Sequence, residues 1–331
     1  MGPACAQLGT EEKAALVVWP SVYTSDWPTA LSLVRDLGVG GVLLMRPRLS
    51  ADELHDRLDQ LDAASELGVL IATDEEGGDV QRLVDIEPLA SQADMSTTMT
   101  PAEAFGVVAS HAEVVAGVGV DVVLGPVVDV LPAEGEPPLQ RSRFFHGDPL
   151  TVAAYAQAYV DGWVSAGLLP VLKHFPGHGS ASGDTHNSDG VTPPLEVLEV
   201  RDLVPYQELV AGGVGVMLGH LTVPGLTDGA PASVSSAAVA YLRNNLGYRD
   251  ALVMTDALDM AGAGGSIPDA AVAALVAGAD VVLFTSTSQA TAVVEAIVAA
   301  VDSGRLPIDR LNDAAAKVLN QLAVRGRRCV E

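Results

Sequence analysis

The sequence reads as a single-domain α/β chain whose strands close into a (β/α)8 TIM barrel. Eight short runs rich in Val, Leu and Ile recur along its 331 residues, separated by longer stretches with helical periodicity. Continuous apolar runs suit strands covered on both faces, and their alternation with helices suits a closed parallel barrel better than an open sheet. No G-x-G-x-x-G follows a strand and no G-x-x-x-x-G-K-[ST] occurs, so the nucleotide-binding open sheets lack their usual signature here.

In chain order the expected strands are ALVV (15–18), GVLLM (41–45), VLIATD (69–74), DVVLGP (121–126), PVLKHF (170–175), VGVMLGH (214–220), ALVMTD (251–256) and DVVLFT (280–285). Helical spacing fills the intervals, as in SADELHDRLDQLDAASELG (50–68) and DPLTVAAYAQAYVDGWVSAG (148–167). The second places Asp148 and Pro149 at its start and Gly167 at its end, the expected start and stop chemistry. No long Pro/Ser-rich linker and no internal repeat beyond the βα alternation divides the chain, so one domain over 1–331 is expected.

The bulk numbers narrow the function. Hydrophobic residues make up 49%, enough for a large core. Eighteen Lys and Arg against 42 Asp and Glu give a net charge of -24, which repels nucleic acid and anionic lipid. Cys5 and Cys329, near opposite ends, form neither a disulfide framework nor a metal cluster. Each apolar run is interrupted well short of a membrane span. The start, MGPACAQLGTEEK, lacks the basic flank and apolar stretch of a secretion signal. A cytoplasmic monomer is therefore expected, or an exported protein if a leader was removed just before Cys5.

Polar residues close several of these strands: Asp74, Lys173 with His174, His220, Asp256 and Thr285. Alone, each has an ordinary explanation as a helix cap or a hydrogen-bonded histidine. Together, at strand ends that converge on one barrel mouth, they outline a polar active-site pocket. The stretch KHFPGHGSASGDTH (173–186) adds three of the seven histidines in a Gly/Ser-rich segment. His174, His178 and His186 with Asp184 could ligate zinc, but no H-E-x-x-H helix is present, so this is the lesser alternative. A serine nucleophile lacks its G-x-S-x-G elbow. A carboxylate pocket with basic residues and a loop histidine suits glycosyl transfer.

KHFPGHG followed by DTH, together with TDEEGGDVQR (73–82) and VMTDALDM (253–260), resembles the glycoside hydrolase family 3 β-N-acetylglucosaminidases of the bacterial cell-wall recycling type. The likeness runs in order along nearly the whole chain. It implies a retaining exo-enzyme that takes a small carbohydrate, terminal β-linked N-acetylglucosamine on cell-wall fragments or chitooligosaccharides, without cofactor or metal. It implies Asp256 as nucleophile, His186 as general acid and then base, and Asp184 as the partner of His186. Asp74, Arg82, Arg143, Lys173 and His174 would hold sugar hydroxyls, with Arg141 competing for the place of Arg143, and His178 would shape the loop. Asp79 stands where the family pattern D-x-E-G-G-R-V has Arg, and Ala257 stands where a second Asp is common. A phosphorylase of the same family and a catalytically silent sugar-binding protein are the rivals. Low aromatic content, 4%, argues for a pocket over an extended groove lined by stacking platforms.

An imidazole acid/base starts from an unperturbed pKa of about 6.5, close to working pH. A carboxylate beside it favours the protonated ring and orients it. Asp184→Asn is therefore expected to lower turnover and to shift the pH optimum. A pH–rate profile unchanged from the parent protein would remove Asp184 from the pair.

Overall fold

The structure, a computed structural model, describes residues 8–183, 190–209 and 213–326. Eight parallel strands form one sheet: β1 (Val18–Tyr23), β2 (Gly41–Met45), β3 (Leu70–Thr73), β4 (Val122–Val123), β5 (Leu169–Phe175), β6 (Gly215–Leu218), β7 (Val253–Thr255) and β8 (Val282–Phe284). Each pairs with the next in sequence from β1 to β7, and β1 also pairs with β8 through Val18↔Val282. The remaining seam, β7 to β8, is bridged at Met254↔Val281 and by the Asp280 amide donating to the Val253 carbonyl at 2.7 Å. The result is a nearly closed (β/α)8 barrel, as the alternating pattern predicts.

All eight expected strands overlap observed ones, usually with ends trimmed. The first is displaced and shares only Val18. Residues 15–16 belong to helix Thr10–Leu16, and the strand begins at Val18 and runs to Tyr23. Glu12 closes the helix start, its carboxylate accepting the Gly9 amide at 2.6 Å. Pro20 disguises the true strand, because proline in an apolar run usually marks an edge or a break. Here it falls where the pairing changes hands: Val18, Trp19 and Pro20 register with β8, and Ser21, Val22 and Tyr23 with β2.

The helices follow their sequence punctuation. Helix Ala51–Ala64 starts on a reciprocal Ser50–Glu53 cap, and helix Pro149–Ser165 starts on Asp148 with Pro149 in its first turn. Helix Pro101–Val118 lies against Pro149–Ser165 at Gly162, where a Cβ would meet Val108 Cγ1 at 2.7 Å. A side chain there would force the two helices apart.

Two aspartates secure the N-terminal end of the barrel. Asp121 Oδ2 accepts the Ile71 amide at 2.9 Å, and Asp280 Oδ2 accepts the Val253 amide at 2.9 Å. The Asp280 side chain is fully buried and is neutralised by Arg243 at 2.8 Å, Arg310 at 2.8 Å and Lys317 at 3.3 Å. Removing one partner of such a cluster leaves charge uncompensated in a dry place. Asp280→Ala should cost about 3–5 kcal/mol of stability. Urea unfolding measures this, and a midpoint equal to that of the parent protein would show that the cluster does not hold the seam.

Candidate active site

The C-terminal ends of β2 to β8 surround a cavity of about 970 Å³. Its deep wall is built from residues in or just after three strands. After β3 the chain makes a short hairpin, Glu75–Gly77 against Val80–Gln81. Gly77 takes φ +90°, and a Cβ there would lie 2.1 Å from the Ala90 carbonyl oxygen, so only glycine fits the turn. Period-two alternation then sends Asp74 and Glu76 into the cavity and Glu75 to the other side.

Lys173 of β5 is the hub. Its ammonium contacts Asp74 Oδ1 at 2.8 Å and Glu76 Oε1 at 2.6 Å while its side chain is only 3% exposed. Arg143 forks onto Glu76, Nε to Oε2 and Nη2 to Oε1, both at 2.8 Å. Arg82 reaches Asp74 Oδ2 at 3.4 Å. Burial pushes the Asp74 carboxyl upward, but Lys173 and Arg82 outweigh it and hold the group at about 2, against an ordinary 3.8. Glu76 is likewise held low: burial raises it, and Lys173 and Arg143 more than offset this. Burial pulls Lys173 down, yet the two carboxylates keep it above its ordinary value. Asp74, Glu76 and Lys173 are therefore charged at neutral pH, and with the two guanidinium groups they present to a ligand both donors and acceptors suited to vicinal hydroxyls.

Beside Lys173, His174 donates Nδ1–H to Asp129 Oδ2 at 2.7 Å, and its amide donates to Asp129 Oδ1 at 3.2 Å. The His178 amide donates to the same Oδ1 at 2.6 Å. Asp129 is fully buried and held low: burial raises it, and the His174 imidazole outweighs this. The bond fixes the ring's orientation and leaves Nε2 as the nitrogen not engaged by Asp129.

Asp256 follows β7 directly and lines the same cavity. Its Oδ1 accepts a short-range bond from the Ala257 amide, at 2.8 Å. Burial raises this carboxyl, but the His174 and His220 rings, the Ala257 amide and Lys173 bring it below the ordinary value. The peptide beyond it is held in turn, with His220 Nε2–H donating to the Ala257 carbonyl at 3.0 Å and His220 Nδ1 accepting from Ser233 at 2.8 Å. Asp256 is thus an ionised carboxylate on a fixed backbone, the state a nucleophile or a stabiliser of positive charge requires.

The structure brings Asp74, Arg82, Arg143, Lys173, His174 and Asp256 together around this cavity. Asp184 and His186 lie outside the described residues. Arg141 stands further out, half exposed and paired with Glu136 at 3.4 Å, while Arg143 is the one that forks a site carboxylate. Asp79 lies on the rim, its carboxylate 3.4 Å from the Ser142 hydroxyl. Reading the sequence missed Glu76 and Asp129. The spacing of two from Asp74 signals Glu76, and a lone Asp within the apolar run PVVDVL (126–131) signals Asp129. Among the described residues no group of three or more His, Cys, Asp or Glu is placed to hold a metal ion, and no helix is long and apolar enough to cross a membrane.

A barrel whose C-terminal mouth gathers an ionised carboxylate and a neutralised network of carboxylates and cations around one cavity suits the sugar-processing class of barrel enzymes. Residues 10–321 match the family model described as glycosyl hydrolase family 3 N terminal domain, and the chain belongs to that family. It is similar to the β-hexosaminidase LpqI of Mycobacterium tuberculosis, with 39% identity over 264 residues, 76% of this chain and 67% of that protein. Its fold matches a family 3 glycosyl hydrolase from Mycobacterium smegmatis, with a TM-score of 0.88 and 37% identity over 96% of this chain and 98% of that one. A β-N-acetylhexosaminidase from Beutenbergia cavernae superposes with a TM-score of 0.89 and 28% identity, covering 97% and 99% of the two chains.

The charge network has a pH signature. Because the folded-state pKa of Asp74 is depressed, its stabilisation is complete above the ordinary 3.8 and is lost as pH falls toward about 2. Lys173→Met removes the main counter-charge of Asp74 and Glu76, which should raise both carboxyls. The acid-unfolding midpoint is then expected at a higher pH than in the parent protein. An unmoved midpoint in an acid titration followed by circular dichroism would show that Lys173 is not their counter-ion.

Proposed function

We propose that the protein is a retaining exo-β-N-acetylglucosaminidase that removes terminal β-linked N-acetylglucosamine through a covalent glycosyl-enzyme. The observation that carries this reading is the placement of Asp256, an ionised carboxylate at the end of β7, in the same cavity as the Asp74–Lys173–Glu76–Arg143 network. The network binds the hydroxyls of one terminal sugar and so orients its anomeric carbon toward Asp256. The carboxylate attacks that carbon as the glycosidic bond breaks. His186, charged and partnered by Asp184, gives its proton to the departing oxygen. The neutral imidazole then takes a proton from the water that attacks the glycosyl ester, and Asp256 leaves as carboxylate.

The choice of sugar draws on the relatives, several of which are named β-hexosaminidase, and on a 26%-identical structure named a family 3 β-N-acetylglucosaminidase from Paenibacillus. Among the described residues no Phe, Tyr or Trp lines the cavity, which favours a pocket for one terminal unit over a stacked polysaccharide track. Cell-wall fragments and small chitooligosaccharides are the proposed sources of that unit.

Release of nitrophenol from the β-N-acetylglucosaminide and the β-glucoside, with and without phosphate, tests the proposal. Turnover of the N-acetyl substrate without phosphate is expected, with Asp256→Ala slower by about 10⁴-fold or more. Proton NMR should show the β-anomer released first. First release of the α-anomer would sink the covalent mechanism, and a phosphate-dependent sugar 1-phosphate would make the enzyme a phosphorylase. Unaltered activity in Asp256→Ala would mean that the nucleophile lies elsewhere.

A further inference from the structure

Between two residues of the clamp sits a buried carboxylate that the mechanism above does not use. Glu75 points away from the cavity and is fully buried. Its Oε2 accepts the amides of Arg82 at 2.9 Å and Leu83 at 3.3 Å, and its Oε1 lies 3.3 Å from His111 Nε2. Its own carbonyl accepts the Tyr159 hydroxyl. His111 comes from helix Pro101–Val118, has a side chain 4% exposed, and stands edge-on to Trp163 with ring centres 5.8 Å apart.

A carboxylate in the layer between a strand and its covering helices is costly, and an apolar side chain of similar volume often serves stability as well or better. What an apolar side chain cannot do is accept two successive backbone amides. Those amides belong to the returning arm of the hairpin, and they set the direction in which Arg82 leaves the backbone. The Arg82 amide is also shared with the Asp74 carbonyl at 3.2 Å, and its guanidinium reaches the Asp74 carboxylate at 3.4 Å inside the cavity. The polar contacts of Glu75 thus end on the clamp.

We infer that Glu75, seated by His111, is a positioning residue that aims the Asp74–Arg82 pair at the sugar. The inference rests on the reading of Asp74 and Arg82 as sugar ligands. The pair acts from the far side of β3 and touches no substrate. Its loss therefore shows in the grip on the sugar, and turnover at saturation changes little.

The test is a double-mutant cycle on whichever nitrophenyl glycoside the parent enzyme turns over best. Glu75→Leu is expected to raise KM about tenfold while kcat changes less than about threefold. Glu75→Gln, which keeps an oxygen for the two amides, should stay within about twofold of the parent KM. In an Arg82→Ala background, Glu75→Leu should add less than about twofold to KM, because the side chain it positions is gone. A KM effect of the same size in both backgrounds, or a fall in Tm with KM unchanged, would overturn the inference and leave Glu75 as a packing element. Should Glu75→Leu fail to fold, His111→Leu takes its place in the cycle with the same expected and overturning results. A parent enzyme that prefers the β-glucoside would overturn the proposed substrate yet leave the cycle readable, since the clamp grips ring hydroxyls that both sugars carry.

Discussion

One ammonium group sets the geometry of the barrel mouth. Lys173 of β5 meets two carboxylates that follow β3, two strands away, and it is dry enough that neither side of the pair tolerates the loss of the other. β4, which runs between them, contributes only Val122 and Val123 to the ladder. Beside these short ladders side-chain charge spans the gap: Lys173 reaches across to Asp74, and His174 bonds Asp129 in the irregular segment after β4. The same contacts that brace the barrel hold the ligand-facing groups in fixed protonation states. Binding chemistry and local structure share one set of atoms.

The two ends of the barrel use buried charge differently. At the N-terminal end Asp121 Oδ2 accepts a strand amide, and the two oxygens of Asp280 are taken up by a strand amide and by the guanidiniums of Arg243 and Arg310. At the C-terminal end Asp74 and Glu76 are paired with cations but remain on a cavity wall, where hydroxyls can join the existing hydrogen bonds. Backbone amides complete the first arrangement, and the second stays open to a ligand. This division matches the habit of (β/α)8 enzymes, whose stability and chemistry occupy opposite faces.

Much of this was legible because a strand covered on both faces has no reason to end in a charged residue. That argument found Asp74, Lys173, His174 and Asp256 as a set. It could not separate Arg141 from Arg143, which differ in the sequence by one serine but in space by whether the guanidinium meets Glu136 at the rim or Glu76 within. Glu76 escaped because it lies beyond the apolar run, although alternation from Asp74 already assigns it to the cavity side. Asp129 escaped because it lies after β4, where regular pairing has ended and no periodicity says which way a side chain points. The first strand escaped because Pro20 breaks its pattern, and its position at the exchange of partners becomes visible only once β2 and β8 are both in place.

The pairing of β1 with β8 also governs how the protein is made. Val18 leaves the ribosome long before its ladder partner Val282 is synthesised. Until β8 arrives, β1 presents an unpaired edge, and the sheet carrying Asp74 and Lys173 stands as an open template for other strands. Asp256 emerges only shortly before that closing strand. The nascent chain therefore exposes its most association-prone edge while the active site is still incomplete, so a folding assistant that shields β1 during synthesis would protect yield without ever touching the catalytic cavity.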